Sequence, residues 1–311
     1  MKIPNLKNNF SQSFLDTTLI EQRLGIKTFS SVARWYLEEI CDIIIKKAVD
    51  KAREKHPDFL IGDSHVHTYH SDGRKSVKYC VNVAEKRGLD FILITDHLGP
   101  FYPIEQLIKS ITDQRIIVEN DNKKIKLLPA VEISSIKGHV QAFFPQEYYS
   151  EQYFSKLEKL RYWESLDTKG PSLKEIFKSI NDIGGKIIIP HPDAMGILKP
   201  KKRYGVCPEL IKEYKDSINA IEQYNSMNPD SMNLEYDITK LGGSDSHLNF
   251  DIGSCFSAVE NKGDLFDSIS YGKTYAYAPV FFSKHNKKLL NKAIWTYMTI
   301  SKKLNPNVYF D

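Results

Sequence analysis

Short, almost continuously apolar runs, each ending in a histidine or a carboxylate, constrain this chain more than any other feature. FILIT at 91–95 runs into Asp96 and His97, and KIIIP at 186–190 runs into His191. Runs this apolar, without alternation, suit strands buried on both faces, which means a parallel sheet covered by helices. DFLIGDSHVH reads as a first strand, SVKYCVNVAEKRG as a helix ended by Gly88, and LDFILITDH as a second strand. KIKLLPAVEIS and HVQAFF follow as strands, SLKEIFKSINDIGG as a helix stopped by Gly184 and Gly185, and KIIIPHP as another strand. SINAIEQYN, ITKLGGSDSH and FSAVE supply further strands, and DLFDSISYGKTYAY a short helix with an extended segment.

The polar residues sit at or just beyond the ends of these strands. His65 and His67 are two apart, so on an extended strand they share a side, as two ligands of one ion must. Asp96 and His97, Glu132 and His191 sit at further strand ends, Asp245 and His247 lie in a turn after an apolar segment, and Asp72 and His139 fall in the motifs beside them. In a (β/α) barrel the C-terminal strand ends form one rim, where barrel enzymes place their chemistry. Seven of the nine histidines fall in or near these motifs, with carboxylates beside them, which points to a metal cluster rather than isolated structural histidines. His56 and His285 lie outside the motifs and read as surface residues.

A chain of 311 residues with 41% hydrophobic content can bury one large core. Its net charge of +4 is too small to argue for a nucleic-acid or anionic-membrane surface. Cys41, Cys80, Cys207 and Cys255 form no C-x-x-C pair and read as buried small residues in a reducing compartment. With no apolar leader core and no membrane-length run, a cytoplasmic location is expected.

Three parts are expected: an N-terminal helical extension at 1–58, a barrel at 59–282 and a basic C-terminal helix at 283–311. In the first, Val32, Tyr36, Ile40 and Ile44, widened by Leu37, Cys41 and Ile45, make the apolar stripe of an amphipathic helix. That stripe needs a surface to cover, either the barrel or a second copy of the chain in a homo-oligomer.

The order H-x-H-x-x-x-S-D-G, T-D-H, a strand-terminal Glu, a His seven residues later, H-P and G-S-D-x-H resembles the polymerase and histidinol phosphatase (PHP) family of metal-dependent phosphoesterases. The resemblance covers roughly residues 60–280. It implies a distorted (β/α)7 barrel with two or three divalent ions of manganese, iron or zinc at its C-terminal rim. Carried over residue by residue, it implies that His65, His67, Glu132 and Asp245 hold one ion. Glu132 would bridge to a second held by His139 and His191, and Asp72, His97 and His247 would hold a third. The implied nucleophile is a metal-bridging hydroxide, with no catalytic side chain of its own. Two or three cations suit this chemistry because they offset the negative charge of a phosphoester and acidify water.

Around this set, Asp96 either orients a ligand or caps its strand, and His70 is a supporting or surface residue. Arg161 and the basic stretch carrying Lys201, Lys202 and Arg203 are candidates to grip a phosphate. The expected substrate is a small phosphorylated metabolite or nucleotide, with no membrane partner. Two alternatives stand beside it. One is a nuclease of short oligonucleotides, whose wall would draw on Tyr148, Tyr149, Tyr153, Phe154, Tyr162 and Trp163, although their spacing suits a core better. The other is a non-enzymatic domain in which metals only stabilise the barrel.

Overall fold

The computed structural model describes residues 27–120, 124–158, 160, 171–194, 204–226, 236–247 and 251–278. Arg161, Lys201, Lys202, Arg203, Tyr162, Trp163 and the expected C-terminal helix lie outside the described residues.

Ten strands form the sheet. They are β1 (Phe59–Val66), β2 (Phe91–Ile94), β3 (His97–Leu98), β4 (Lys126–Ser135), β5 (Gly138–Phe143), β6 (Lys186–Ile189), β7 (Ala220–Asn225), β8 (Thr239–Gly243), β9 (Phe256–Glu260) and β10 (Thr274–Tyr277). Nine follow one path, β10-β9-β1-β2-β4-β5-β6-β7-β8, with β3 pairing against β4. The path nearly closes into a barrel, because the segment after β8 returns to β1: Val66 bridges Ser246, and the Asp245 N–H donates to the His65 carbonyl at 2.9 Å. The expected parallel sheet holds for β1-β2-β4 and β6-β7-β8. It fails at β5, which forms an antiparallel hairpin with β4, and at β9 and β10, which run antiparallel on the far side of β1. The hairpin follows from its short connection, residues 136–137, since a parallel return needs a crossover of a dozen or more residues.

The helices are α1 (Lys27–Lys55), α2 (Val77–Lys86), α3 (Ile104–Asn120), α4 (Phe154–Leu157, one turn), α5 (Leu173–Asp182), α6 (Pro208–Glu213) and α7 (Leu265–Tyr271). Ser76 caps α2 by accepting from the Tyr79 N–H, and a reciprocal Ser172–Glu175 capping box opens α5. Gly88 and Gly184, both at positive φ, stop these two helices where the sequence expects. A helix for which the strand-by-strand reading makes no provision, α3, packs Ile104, Leu107 and Ile111 into the core.

Alternation along the strands explains the continuous apolar runs. Phe91, Leu93, Leu128, Ala130, Phe143, Ile188, Ala220, Leu241 and Val259 fill the barrel interior, and Leu265 and Ile269 of α7 close its floor. Their neighbours Ile92, Ile94, Leu127, Val131, Ile187, Ile189 and Ile221 face outward under the helices. Both faces of each strand are therefore buried.

The N-terminal helix docks on the barrel through Cys41, Ile45, Val49 and Ala52, all buried, while Ile40 and Ile44 are half-buried. Cys41 and Ile45 belong to the expected stripe, whose Val32, Tyr36 and Leu37 side chains lie outside the described residues. His56 is not a surface residue: it is buried, stacks on Tyr275 at 4.3 Å and hydrogen-bonds the Tyr277 hydroxyl at 2.7 Å.

Candidate metal centre

The barrel interior changes character from floor to rim. Leu128 and Ala130 of β4 face inward, and the next residue of the same parity is Glu132. On β5, Phe143 faces inward with Gln141 and His139 above it. On β1 the alternation has to be broken, because His65 and His67 share parity with Ile61, which belongs to the outer layer. The β1–β2 register slips between Asp63 and Val66, and beyond the slip His65 and His67 turn inward.

Glu132 stands at the centre. Its Oε1 lies 3.0 Å from His139 Nδ1 and 3.0 Å from His191 Nε2, and its Oε2 lies 3.2 Å from the Nε2 atoms of both His65 and His67. Those two Nε2 atoms are 3.0 Å apart, and each is 3.3 Å from Asp245 Oδ1. At the open side, Asp72 Oδ2 is 3.2 Å from His247 Nε2 and 3.4 Å from His97 Nε2. His97 also turns Nδ1 to within 3.4 Å of Glu132 Oε2. All nine residues named from the sequence as ligands therefore converge. They form four overlapping groups able to hold an ion: His67, Asp72, His97 and His247; His65, His67 and Asp245; His65, Glu132 and His191; and His97, Glu132 and His139.

The donor set fits metal ions. Two ligand atoms each about 2.1 Å from one centre lie about 3.0–3.4 Å apart at right-angle or tetrahedral geometry, which is the spacing seen here. Two ring nitrogens at 3.0 Å cannot both carry protons, whereas both can share a cation. Burial opposes charge throughout the cluster, yet His65, His139 and His97 hold Glu132 well below the usual carboxylate range. His65, His67 and His247 do the same for Asp245, and His247 and His97 for Asp72. Three ionised carboxylates among imidazoles are left to be balanced by positive charge. His247, against the pull of burial, rises to about 10 beside Asp72 and Asp245.

Two of the ligand-type residues sit in left-handed backbone, His191 at φ 26° and Asp245 at φ 54°. Non-glycine residues persist there only where surroundings hold them, a feature that collects at functional sites. Asp96 touches none of the rings. It accepts from the Thr68 N–H at 2.7 Å and from the hydroxyls of Thr68, Ser71 and Ser110 at 2.6, 2.7 and 2.6 Å, tying the 67–72 loop to α3. His70 likewise turns to α3, pairing with Asp113 at 2.9 Å.

Two supports go unnamed in the sequence reading. Asp63, fully buried, accepts from the backbone N–H groups of His65, Ser244 and Gly253; burial raises its carboxyl to about 7 despite those donors. Glu222, also buried, accepts a hydrogen bond from His65 Nδ1 at 2.9 Å. Its signal was a lone carboxylate inside the apolar AIEQYN strand.

No family model matches the chain. No curated protein matches it either. Among solved structures, a two-domain protein of Bacteroides vulgatus containing a predicted PHP-like metal-dependent phosphoesterase superposes with a TM-score of 0.50 at 18% identity, over 71% of this chain and 66% of that one. The barrel is of the PHP type. Because this PHP-type barrel spans less than two thirds of that neighbour, the likeness extends to the fold and not to the neighbour's second domain. An inferred metal-dependent phosphoesterase of Bifidobacterium adolescentis matches at 18% identity and TM-score 0.41, over 60% of this chain and 88% of that one. Endonuclease Q, complexed with a 27-mer duplex bearing an abasic lesion, matches at 18% and 0.46, over 68% and 55%. No described helix is long and apolar enough to cross a membrane.

Proposed function

We propose that the chain is a metal-dependent phosphoesterase acting on a small phosphorylated metabolite or nucleotide. One observation carries the reading: the two oxygens of Glu132 are divided between two sets of histidines, the arrangement of a carboxylate shared by neighbouring cations. His65, His67, Glu132 and Asp245 would hold one ion, His139 and His191 with Glu132 a second, and Asp72, His97 and His247 a third. Bound there, the cations supply charge neutralisation for a phosphoester and a water acidified toward neutral pH. The chain's own contribution is to orient the ligands and exclude water from the buried end. Asp72 and His247, with side chains 25% and 28% exposed, leave the opposite end open to substrate. Tyr148 and Tyr149 are buried in the core, which favours a small ester over a strand that needs stacking aromatics. Arg161, Lys201, Lys202 and Arg203 remain the proposed phosphate-gripping residues.

The test is hydrolysis of p-nitrophenyl phosphate and of its bis ester by purified protein loaded with manganese, zinc or iron, beside elemental analysis. Turnover with at least two equivalents of metal is expected, and Asp245→Asn should reduce it on the order of 100-fold or more. A fully metal-loaded protein that hydrolyses neither ester, nor a panel of nucleotides and sugar phosphates, would sink the proposal.

A further inference from the structure

Among the described residues, Glu222 is the one buried carboxylate whose side chain touches two ligand-type residues, His65 on β1 and His191 just beyond β6, without belonging to any of the four groups. Oε1 accepts from His65 Nδ1 at 2.9 Å. Oε2 accepts from the His191 backbone N–H at 2.7 Å and from the Asn225 side-chain amide at 2.8 Å. Each oxygen thus has a separate task. The first fixes which nitrogen of the His65 ring carries the proton: with Nδ1–H donated, Nε2 keeps its lone pair and points at Glu132 and Asp245. The second holds the backbone of His191 where it passes through φ 26°, the turn that aims its ring back at Glu132.

The surroundings are shaped to this carboxylate. A Cβ at Gly243 would lie 2.2 Å from Glu222 Oε1 and 2.7 Å from His65 Cβ, so the second glycine of GGSDSH is required by the Glu222–His65 pair. Asn225 lies three residues from Glu222 and would face the opposite side of a regular strand. The β7–β8 register slips between Glu222 and Tyr224, which brings Asn225 round to the same face. The orientation of the carboxylate is thereby fixed by donors on both oxygens.

From this geometry we infer that Glu222 is a positioning residue that sets metal affinity by locking the His65 tautomer and the His191 turn together. The inference rests on the proposed metal cluster. An amide cannot replace the carboxylate. If its oxygen serves His191 and Asn225, its NH2 faces His65 Nδ1, drives the proton to Nε2 and blocks that ligand. If its oxygen serves His65, the NH2 meets two donors. Either way one of the two tasks is lost.

The experiment compares wild type and Glu222→Gln by zinc titration, by the visible spectrum of the cobalt-loaded protein, and by thermal melting after chelation. Glu222→Gln should bind zinc 10–100-fold more weakly and shift the cobalt bands, while its metal-free melting stays within a few degrees of wild type. Equal zinc affinity and an unchanged cobalt spectrum would overturn the inference while leaving the cluster intact. A wild type that takes up no metal would overturn the cluster and the inference with it. The wild type also provides a test independent of whether the variant folds. Nitrogen-15 correlation spectra of the zinc-loaded protein should show His65 protonated at Nδ1, with a slowly exchanging proton. A proton on Nε2 would refute the assignment.

Discussion

Inside the barrel, single positions decide where polar groups can be tolerated. Gln141 lies opposite Glu132 in the β4–β5 hairpin and is fully buried, and neither its amide oxygen nor its nitrogen has a hydrogen-bond partner among the described residues. A buried amide left unpaired costs about 1–3 kcal/mol. Gln141→Met, which keeps length without polar atoms, should leave stability unchanged or raise it by about 1 kcal/mol in urea unfolding, with metal uptake intact. A loss of 2 kcal/mol or more would mean that the amide is satisfied in solution. Glu132 and Gln141 face each other, yet one was legible as functional and the other was not. Glu132 stood at the end of PAVEIS in a recurring pattern of strand-end ligands, while the role of a lone glutamine depends on cross-strand neighbours that no local pattern specifies. Glu222 left only the signal of a lone carboxylate within AIEQYN, and its partners His65 and His191 lie on other parts of the barrel.

Among the elements, α1 is joined to the barrel by more than its apolar stripe. Arg87, at the end of α2 and only 1% exposed, pairs Nε with Asp42 Oδ1 at 2.7 Å and donates Nη1 to the Ile252 carbonyl at 2.5 Å. It therefore clamps α1 to the 251–254 turn. That turn places Asp251 beside Ser246 and the Gly253 N–H on Asp63, between the helix and the 245–247 ligand segment. Asp42→Ala leaves a buried guanidinium without its carboxylate and should cost roughly 3 kcal/mol. Adding Arg87→Met should recover part of that loss, as a double-mutant cycle would reveal. Cys41 reports on the docking. Burial raises its thiol to about 12, with Arg87 acting in the opposite direction, so it should resist alkylation at pH 8.5 in wild type and react in Asp42→Ala. Equal labelling and stability in the two proteins would show that the clamp is idle. A helix in this region was readable from its 3.6-residue periodicity, but its tie through Arg87 was not, because Asp42 and Arg87 are far apart in sequence and no local pattern pairs them. The slip in β1 was equally hidden: even spacing gave His65 and His67 a common side, while parity with Ile61 gave the outer one.

At the scale of the molecule, the barrel is an apolar floor carrying a charged rim, and the two should respond differently to metal. The floor, from Phe91 to Val259 with α7 beneath, is packed from apolar side chains that bind no metal. The rim holds three carboxylates ionised among imidazoles, a charge that protonated rings such as His247 offset without metal and that bound cations offset in their place. Chelation should therefore lower the melting temperature without abolishing the fold. An ion present at a thousand times its dissociation constant contributes about 4 kcal/mol, so removing it should cost several degrees or more while the far-ultraviolet circular dichroism of the native barrel persists. Release should also occur in steps. Glu132, His65 and His67 are essentially inaccessible, whereas Asp72 and His247 are partly open to solvent, so the Asp72, His97 and His247 group should give up its ion first. Timed chelation with elemental analysis and melting at each point would then show one labile ion whose loss costs little stability, followed by slower release that carries most of it. Simultaneous loss of all metal, with collapse of the dichroism, would mean that the floor cannot hold the barrel and that the rim is part of the core.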